Sequence, residues 1–338
     1  MTTAPETELT YDRTVAKGLV HVWALSEVFI ADSERLSDDE YVCSFQLPRT
    51  HCLWGDRRYD YHDPVVTLEI GRQTVFLVLH HYCEVPADWK FVLRRIDFGV
   101  VDLEAYADDR TAPPTGVSRV VMSNRVEKHG LLEATFEGDV RIGDAMAMEM
   151  SADISVLNPF NYRLLRAQGR GKKPLATAPP PGSPEERIDG EQVGHDDPRN
   201  VVLRHQVEEV DGTYRYGLIV DQHHPGFFDH PHDHVTGSLI LELYRQAAIA
   251  TASRAEGIDA TRAAVTACSM TFEEFAELDA LTECRAEVAG VTPGGGVAVD
   301  LALEQCGFTI AEAQLTVSEM PSAAEPAAAL AGDSIAGR

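Results

Sequence analysis

Two long apolar segments, one in each half of the chain, have the length and composition of buried helices. The first covers residues 64–83 and the second about residues 236–255, and both are apolar on nearly every side. The first has a clear start, with Asp63 as the predicted N-cap and Pro64 at the first helical position. Both segments contain charged residues, so neither is an uninterrupted stretch of membrane-spanning length. We therefore predict two central helices that the rest of the protein covers.

Shorter segments with strand-like patterning surround both predicted helices. In the first half they cover residues 41–47, 91–105, 117–127, 130–141 and 145–157. In the second half they cover residues 201–209, 213–221, 264–275, 282–292, 297–305 and 308–318. An antiparallel sheet that curls around one helix covers it on most sides. The pattern predicts an α+β protein with a tandem (double) hot-dog fold, in which two antiparallel sheets each wrap a long central helix and pack as an intrachain pseudo-dimer.

A change of composition separates the two halves. Residues 167–200 are rich in proline, glycine and charge, which is typical of a linker between domains. We predict an N-terminal hot-dog domain at 14–166, a linker at 167–200, a C-terminal hot-dog domain at 201–319 and a disordered tail at 320–338.

Charge and cysteine content exclude several classes of protein. The net charge of −25 argues against nucleic-acid binding, which depends on cationic contacts to phosphates. An anionic substrate would need a local cationic pocket against this overall field. The six cysteines form no Cys-x-x-Cys pair, and the N-terminus lacks the features of a secretion signal. We expect a cytoplasmic protein with reduced thiols and no membrane association.

A signature of glutamate, arginine and glutamine occurs once in each predicted central helix. The spacing Glu-x-x-Arg-Gln places the three side chains of each copy on one helical face. The copies are Glu69, Arg72 and Gln73 in the first half, and Glu242, Arg245 and Gln246 in the second. Burying an unpaired charge is costly, so such residues are paired or used in chemistry. The repeat predicts a duplicated acid-plus-arginine site, although an ion pair that only fixes the helix, or activity in the second half alone, remains an alternative.

The segment from Asp221 to Ala247 resembles the active-site segment of hot-dog acyl carrier protein dehydratases. The matching residues are Phe227, Phe228, His230, Pro231, Gly237, Glu242 and Gln246. Two departures are evident: the separation of His230 and Glu242 is shorter than in that family, and Arg245 replaces a small or apolar residue.

A closer resemblance is to the A-factor biosynthesis hot-dog family, the AfsA-type proteins of actinobacterial γ-butyrolactone signalling. It is carried by LVHVWALSEVFIAD (19–32), LPRTHCLW (47–54), HDPVVTLEIGRQT (62–74) and the segment 221–247. Members of that family transfer a β-ketoacyl group from acyl carrier protein to the hydroxyl of dihydroxyacetone phosphate. The resemblance implies an acyltransferase that makes a precursor of a γ-butyrolactone, butenolide or furan-type signal.

This chemistry assigns expected roles to the candidate residues. Glu242 is the expected base, with a pKa raised by desolvation, and Arg245 is the expected ligand of the phosphate. Backbone N–H groups of Gly237 and Ser238 would hold the oxyanion, and a loop histidine, best His230, would position substrate. Glu69 and Arg72 hold the corresponding catalytic places in the first half. Further candidates for substrate binding are Gln73, Gln246 and Phe228, with the two glutamines also open to a structural role.

Other interpretations of the sequence stay open. A hot-dog dehydratase or thioesterase acting on acyl thioesters is one alternative, and a non-catalytic acyl-ligand-binding module is another. The histidines at 223, 224, 230, 232 and 234 could bind a metal, but their proline- and aspartate-rich surroundings favour a tight loop. We expect neither a metal nor another cofactor. The basic segment 163–173 is either a docking surface for an acidic carrier protein or a solvated flank of the linker.

Overall fold

The computed structural model describes residues 9–56, 60–175 and 186–321. The middle of the predicted linker, 176–185, and nearly all of the predicted tail, 322–338, therefore lie outside the described residues. The proposed domain boundaries stay a prediction.

The described strands form one antiparallel sheet of 12 strands. Strands β1–β6 are Ile30–Arg35, Glu40–Gln46, Lys90–Val100, Thr115–Lys128, Leu131–Ile142 and Ala145–Leu157. Strands β7–β12 are Leu203–Val210, Thr213–Leu218, Ala263–Phe272, Thr282–Val291, Val297–Gln305 and Phe308–Glu319. The order β1-β2-β4-β5-β6-β3 in the first half recurs, reversed, as β9-β12-β11-β10-β8-β7 in the second. The two halves join where β3 and β9 pair, from Arg95 opposite Thr271 to Gly99 opposite Ala267.

Each half of this sheet carries one central helix. Helix α1 is Val66–Leu77 and continues into a π-helical turn at Val78–Tyr82, and helix α3 is Gly237–Glu256. Helix α2, Pro159–Gly171, follows the first half and overlaps the start of the predicted linker. Helix α1 begins two residues later than predicted, and Asp63 is not its N-cap, although its side chain accepts a hydrogen bond from the Val65 N–H. The predicted tandem hot-dog architecture is confirmed.

The two halves share their hydrophobic core. Leu53, Val65 and Leu68 belong to the first half but are buried in the cluster that surrounds α3. The segment between β2 and α1 therefore reaches into the second half, and its polar residues arrive there with it. Among the described residues, no helix combines the length and the apolar character needed to cross a membrane.

Candidate active site

The signature on α3 lies in the interior of the protein. Glu242 is 2% exposed and Arg245 is 4% exposed, while Gln246 is fully buried. The helical repeat places them on one face, as the spacing predicts. Because ionised groups are costly to bury alone, the partners of these side chains determine what the site can do.

Glu242 receives hydrogen bonds from its own helix. Its Oε1 atom accepts a bond of 2.6 Å from Gln246 Nε2 and one of 3.1 Å from Arg245 Nη1. The same oxygen lies 2.8 Å from Nε2 of His195, which precedes β7. One carboxylate oxygen is thus surrounded by three polar side-chain nitrogens.

His195 connects Glu242 to a second carboxylate. The Nδ1 atom of His195 lies 3.0 Å from Oδ2 of Asp56, which belongs to the segment between β2 and α1. Asp56 also accepts bonds from Asn200 Nδ2, at 2.6 Å, and from the backbone N–H groups of residues 196 and 197. These bonds hold the Asp56 carboxylate in place independently of His195. Asp56 belongs to the first half of the chain, whereas Glu242 and His195 belong to the second.

Arg245 has its own partner from the first half. Its Nε atom donates a bond of 2.7 Å to Oδ2 of Asp63, just before α1, and its Nη1 atom donates to the Val193 carbonyl at 3.3 Å. The site on α3 is consequently a composite of both halves, with three carboxylates facing one guanidinium and one imidazole.

The protonation states follow from these contacts. Burial alone would raise the pKa of Glu242, but Arg245, His195 and Gln246 outweigh it and lower that pKa below its usual value. Burial likewise acts to lower the pKa of His195, but its bonds to Asp56 and Glu242 raise it above its usual value. The expectation that desolvation raises the pKa of Glu242 is wrong, because it neglected these partners. Near neutral pH Glu242 is therefore ionised, and the bonds of His195 to two carboxylates favour its protonated form.

A small pocket opens beside these groups. Its cavity volume is about 10 Å³, and it is lined by Leu53, Trp54, Asp56, Asp63, His195, Glu242 and Arg245. An ionised carboxylate in such a confined site can accept a proton from a hydroxyl group held within hydrogen-bond distance.

The signature on α1 repeats the backbone contacts of this site. Gln73 donates to Oε1 of Glu69 and to the Glu27 carbonyl, and it accepts from the Phe29 N–H. Gln246 makes the same set of bonds: it donates to Glu242 and to the Asn200 carbonyl, and it accepts from the Val202 N–H. Both amide hydrogens of each glutamine are used, which favours the structural role for the two glutamines.

The two sites differ in their polar side chains. Arg72 forms a two-pronged pair with Glu69, with bonds of 2.7 and 2.6 Å, and its side chain is 34% exposed. Val22 takes the place of His195: each directly follows a residue with positive φ, His21 in the first half and Gly194 in the second. The first site therefore contains an acid–arginine pair with no imidazole in the position of His195.

His230 lies at the first site and not beside Glu242. It is hydrogen-bonded to Asp229, and its ring stacks on Trp23 with 5.5 Å between ring centroids. Asp229 also accepts a bond of 2.7 Å from the Trp23 N–H, as Asp56 does from the backbone at the other site. The predicted residues are thus divided between two sites in the structure.

A metal ion could be held in this same loop. Ligand atoms of Asp229, His230 and His232 all lie within 4.8 Å of one another. Burial, together with His230, lowers the pKa of His232 to about 4, so its imidazole is neutral near pH 7. Neutral imidazole is the form that binds metals. The expectation of no metal stays a prediction.

The remaining predicted residues lie apart from the small pocket. Gly237 lines a larger cavity with a volume of about 270 Å³, on the side of α3 that carries Ile240. Ser238 is exposed and its hydroxyl contacts that of Thr236 at 3.1 Å. Phe228 is part of the hydrophobic core around α3. The predicted oxyanion donors at the start of α3 therefore do not line the pocket that contains Glu242.

Sequence reasoning missed four residues of the site on α3: Asp56, Asp63, His195 and Asn200. His195 and Asn200 lie in the segment predicted to be linker, whose polar composition conceals a packed role: Ile188 and Val193 of the same segment are buried in the core. Superposing the two copies of the signature along the sequence would have shown His195 opposite Val22. A histidine at a position where the other copy has valine is the signal in the sequence that could have identified His195.

The sequence of this chain is similar to that of a described protein family. The family model for the A-factor biosynthesis hotdog domain matches residues 3–158 and 176–321. A 2-oxo-3-(phosphooxy)propyl 3-oxoalkanoate synthase of Streptomyces virginiae is 28% identical over 269 residues, covering 79% of this chain and 84% of that protein. A synthase of the same name from Streptomyces griseus is 30% identical over 243 residues, covering 70% and 75%.

Solved structures resemble this fold at low sequence identity. A putative oleoyl thioesterase from Lactobacillus plantarum has a TM-score of 0.49 at 11% identity, covering 85% of this chain and 99% of that one. The 12:0-ACP thioesterase from Umbellularia californica has a TM-score of 0.48 at 12% identity, covering 83% and 94%. Because the family model matches both halves and nearly all of the described residues, this chain belongs to the A-factor biosynthesis hotdog (AfsA) family.

Proposed function

We propose that this protein is an acyltransferase that joins a β-ketoacyl group to the hydroxyl of dihydroxyacetone phosphate. The curated relatives are named for a 2-oxo-3-(phosphooxy)propyl 3-oxoalkanoate, which is the ester of these two groups. The acyl donor in this proposal is a thioester of acyl carrier protein. The product is a precursor of a γ-butyrolactone, butenolide or furan-type signalling molecule.

The observation that carries this proposal is the buried, ionised Glu242 beside a small pocket. As the hydroxyl oxygen of the acceptor attacks the thioester carbonyl, its proton passes to Glu242. The carbon–oxygen bond forms, the carbon–sulfur bond breaks, and Glu242 returns the proton to the departing thiolate. Atoms and charges balance without another reactant, and Glu242 ends as it began.

Arg245 has a narrower role in this proposal than the sequence suggested. Its guanidinium already donates to Asp63 and Glu242. We assign it to holding Glu242 ionised and in place, since a phosphate would have to displace one of these carboxylates to bind in the same geometry.

The basic segment 163–173 offers little free charge for an acidic carrier protein. Arg166 and Arg170 bind Glu277, Arg170 also binds Asp279, and Lys172 binds Glu274. These pairs favour a structural role for the segment. The docking surface for the proposed carrier protein is therefore to be sought elsewhere.

A direct test uses a β-ketoacyl thioester and dihydroxyacetone phosphate with the purified protein. Glu242→Gln keeps the shape of the side chain but cannot accept a proton, so ester formation should fall at least 100-fold, on the order expected for loss of a general base. Glu256→Gln, at the exposed end of the same helix, is the matched control and should retain activity. Normal turnover by Glu242→Gln would reject Glu242 as the base.

The same assay separates transfer from hydrolysis. A thioesterase would consume the thioester equally fast with and without dihydroxyacetone phosphate and would release the free acid. A non-catalytic binding module would consume none.

A further inference from the structure

We propose that Asp56 and His195 form a positioning pair for Glu242, and that this pair makes the site on α3, rather than its counterpart on α1, the place where the acceptor hydroxyl loses its proton. The inference rests on the proposed acyl transfer and specifies which residues and which half of the chain perform it.

The geometry is a continuous row of polar contacts through the interior. Asn200 Nδ2 donates to Asp56 Oδ2 at 2.6 Å, His195 Nδ1 meets the same oxygen at 3.0 Å, and His195 Nε2 meets Glu242 Oε1 at 2.8 Å. His195 is only 3% exposed. An imidazole with a carboxylate on each ring nitrogen cannot turn without losing both bonds, so the ring fixes the position of Glu242 Oε1.

The charges around His195 favour its protonated form. Asp56 faces it from the segment between β2 and α1, and Glu242 and Arg245 face it from α3. Asp63 neutralises part of the charge of Arg245, and Asp196 and Asp197 follow His195 in its own segment. When protonated, His195 donates to both carboxylates and places a positive charge against Glu242. The acid form of Glu242 is thereby disfavoured, so that its carboxylate remains free to accept the proton of the acceptor hydroxyl.

The site on α1 provides an internal comparison. Val22, which takes the place of His195, can neither donate a hydrogen bond nor carry charge. Asp229, the counterpart of Asp56, binds the Trp23 N–H and His230 instead. Glu69 is held by both prongs of Arg72. The same backbone frame thus carries an imidazole between two carboxylates on α3 and a glutamate–arginine pair without that imidazole on α1.

A purely structural His195 would make a different prediction from a positioning one. Loss of a structural residue lowers stability and reduces activity similarly at every pH. Loss of a charged neighbour of the base raises the pKa of that base, and the acidic limb of the activity profile then moves to higher pH.

The decisive experiment measures kcat and KM for the thioester as a function of pH. His195→Gln keeps a neutral hydrogen-bond donor, and it should lower kcat on the order of 100-fold, as expected for a misplaced reacting group, with little change in KM. Its acidic limb should lie at higher pH than that of the wild type. Asp56→Asn removes a carboxylate that favours protonated His195, so it should shift the acidic limb to higher pH by a smaller amount.

Two further variants complete the comparison. His129→Gln, at an exposed turn, is the control for the substitution and should match the wild type. Glu69→Gln should leave the acidic limb where it is, whatever its effect on rate. The proposal is overturned if His195→Gln lowers kcat equally at all pH values, or if Glu69→Gln moves the limb as far as His195→Gln does.

A measurement without turnover separates this inference from the proposed function. In ¹⁵N spectra of histidine-labelled protein, the resonances lost in His195→Gln should show two protonated ring nitrogens at pH 7. If the wild type makes ester while these resonances show a neutral ring, the positioning pair fails and acyl transfer stands. If the ring is doubly protonated but no ester forms with dihydroxyacetone phosphate, the acyl transfer fails and the pair stands.

Discussion

At the scale of single residues, the site on α3 depends on mutual compensation of buried charge. Glu242, Arg245 and His195 would each be costly to bury alone. Arg245 and His195 both stabilise the Glu242 carboxylate, while Asp63 compensates Arg245 and Asp56 compensates His195. The corresponding pair on α1, Glu69 and Arg72, remains in partial contact with solvent. Equivalent positions in one chain thus allow the effect of burial to be measured directly.

Removing the charge of Arg245 should therefore destabilise the protein strongly. Arg245→Met leaves Glu242 and Asp63 without their guanidinium, and we expect a loss of about 3–5 kcal/mol, as for other broken buried pairs. Arg72→Met is the matched variant on α1, and we expect a loss of about 1 kcal/mol or less, because solvent screens the pair. Urea denaturation of both variants tests the comparison, and equal losses would contradict the assigned difference in burial.

His195 should give the stability a characteristic dependence on pH. Its pKa is raised on folding, so its contribution is complete below its ordinary value near 6.5 and is lost as pH rises through the folded-state pKa. The stability gap between the wild type and His195→Gln should thus narrow as pH rises above neutral. Denaturation midpoints between pH 6 and 9 test this, and a gap that widens with pH would exclude a protonated His195.

At the scale of elements, the helices and most strands follow from periodicity, whereas the site does not. Eleven of the strand segments were predictable because their buried and exposed positions alternate or form short apolar runs. Strand β1 was missed, since only its first two residues are buried.

The site residues that were predictable are those inside the helices. Glu242 and Arg245 stand out because charge is unexpected in an apolar helix. Asp56 and His195 lie in polar segments where such residues are ordinary, and only the fold brings them to Glu242. The predicted direction of the Glu242 pKa shift was wrong for the same reason. Its burial could be predicted from the sequence, but the partners that lower its pKa could not.

Helix α2 illustrates a further contact that the sequence concealed. Arg166 forms a two-pronged pair with Glu277, with both bonds at 2.8 Å, and both side chains are almost completely buried. We expect Arg166→Met to lower the free energy of unfolding by about 3–5 kcal/mol, since it removes the two-pronged partner of the buried Glu277 carboxylate. Lys172→Met, which breaks the exposed pair with Glu274, should cost less than about 1 kcal/mol. Chemical denaturation compares the two variants. An unchanged free energy of unfolding in Arg166→Met would show that this pair does not stabilise the packing of α2.

At the scale of the whole molecule, duplication has produced one sheet and two unequal sites. The pairing of β3 with β9 brings the halves together, and each segment before a central helix reaches the site of the other half. The two composite sites differ at one equivalent position, which is His195 at the α3 site and Val22 at the α1 site. We propose that the acyltransferase chemistry takes place at the α3 site, to which the first half contributes Asp56 and Asp63.

The most direct test of the central claim is mass spectrometry of the product formed from a β-ketoacyl carrier protein thioester and dihydroxyacetone phosphate. The wild type should yield a phosphorylated β-keto ester that contains both the acyl group and the acceptor, and Glu242→Gln should yield almost none. Release of only the free β-keto acid, at a rate that does not depend on the acceptor, would contradict the assignment of acyl transfer to this site.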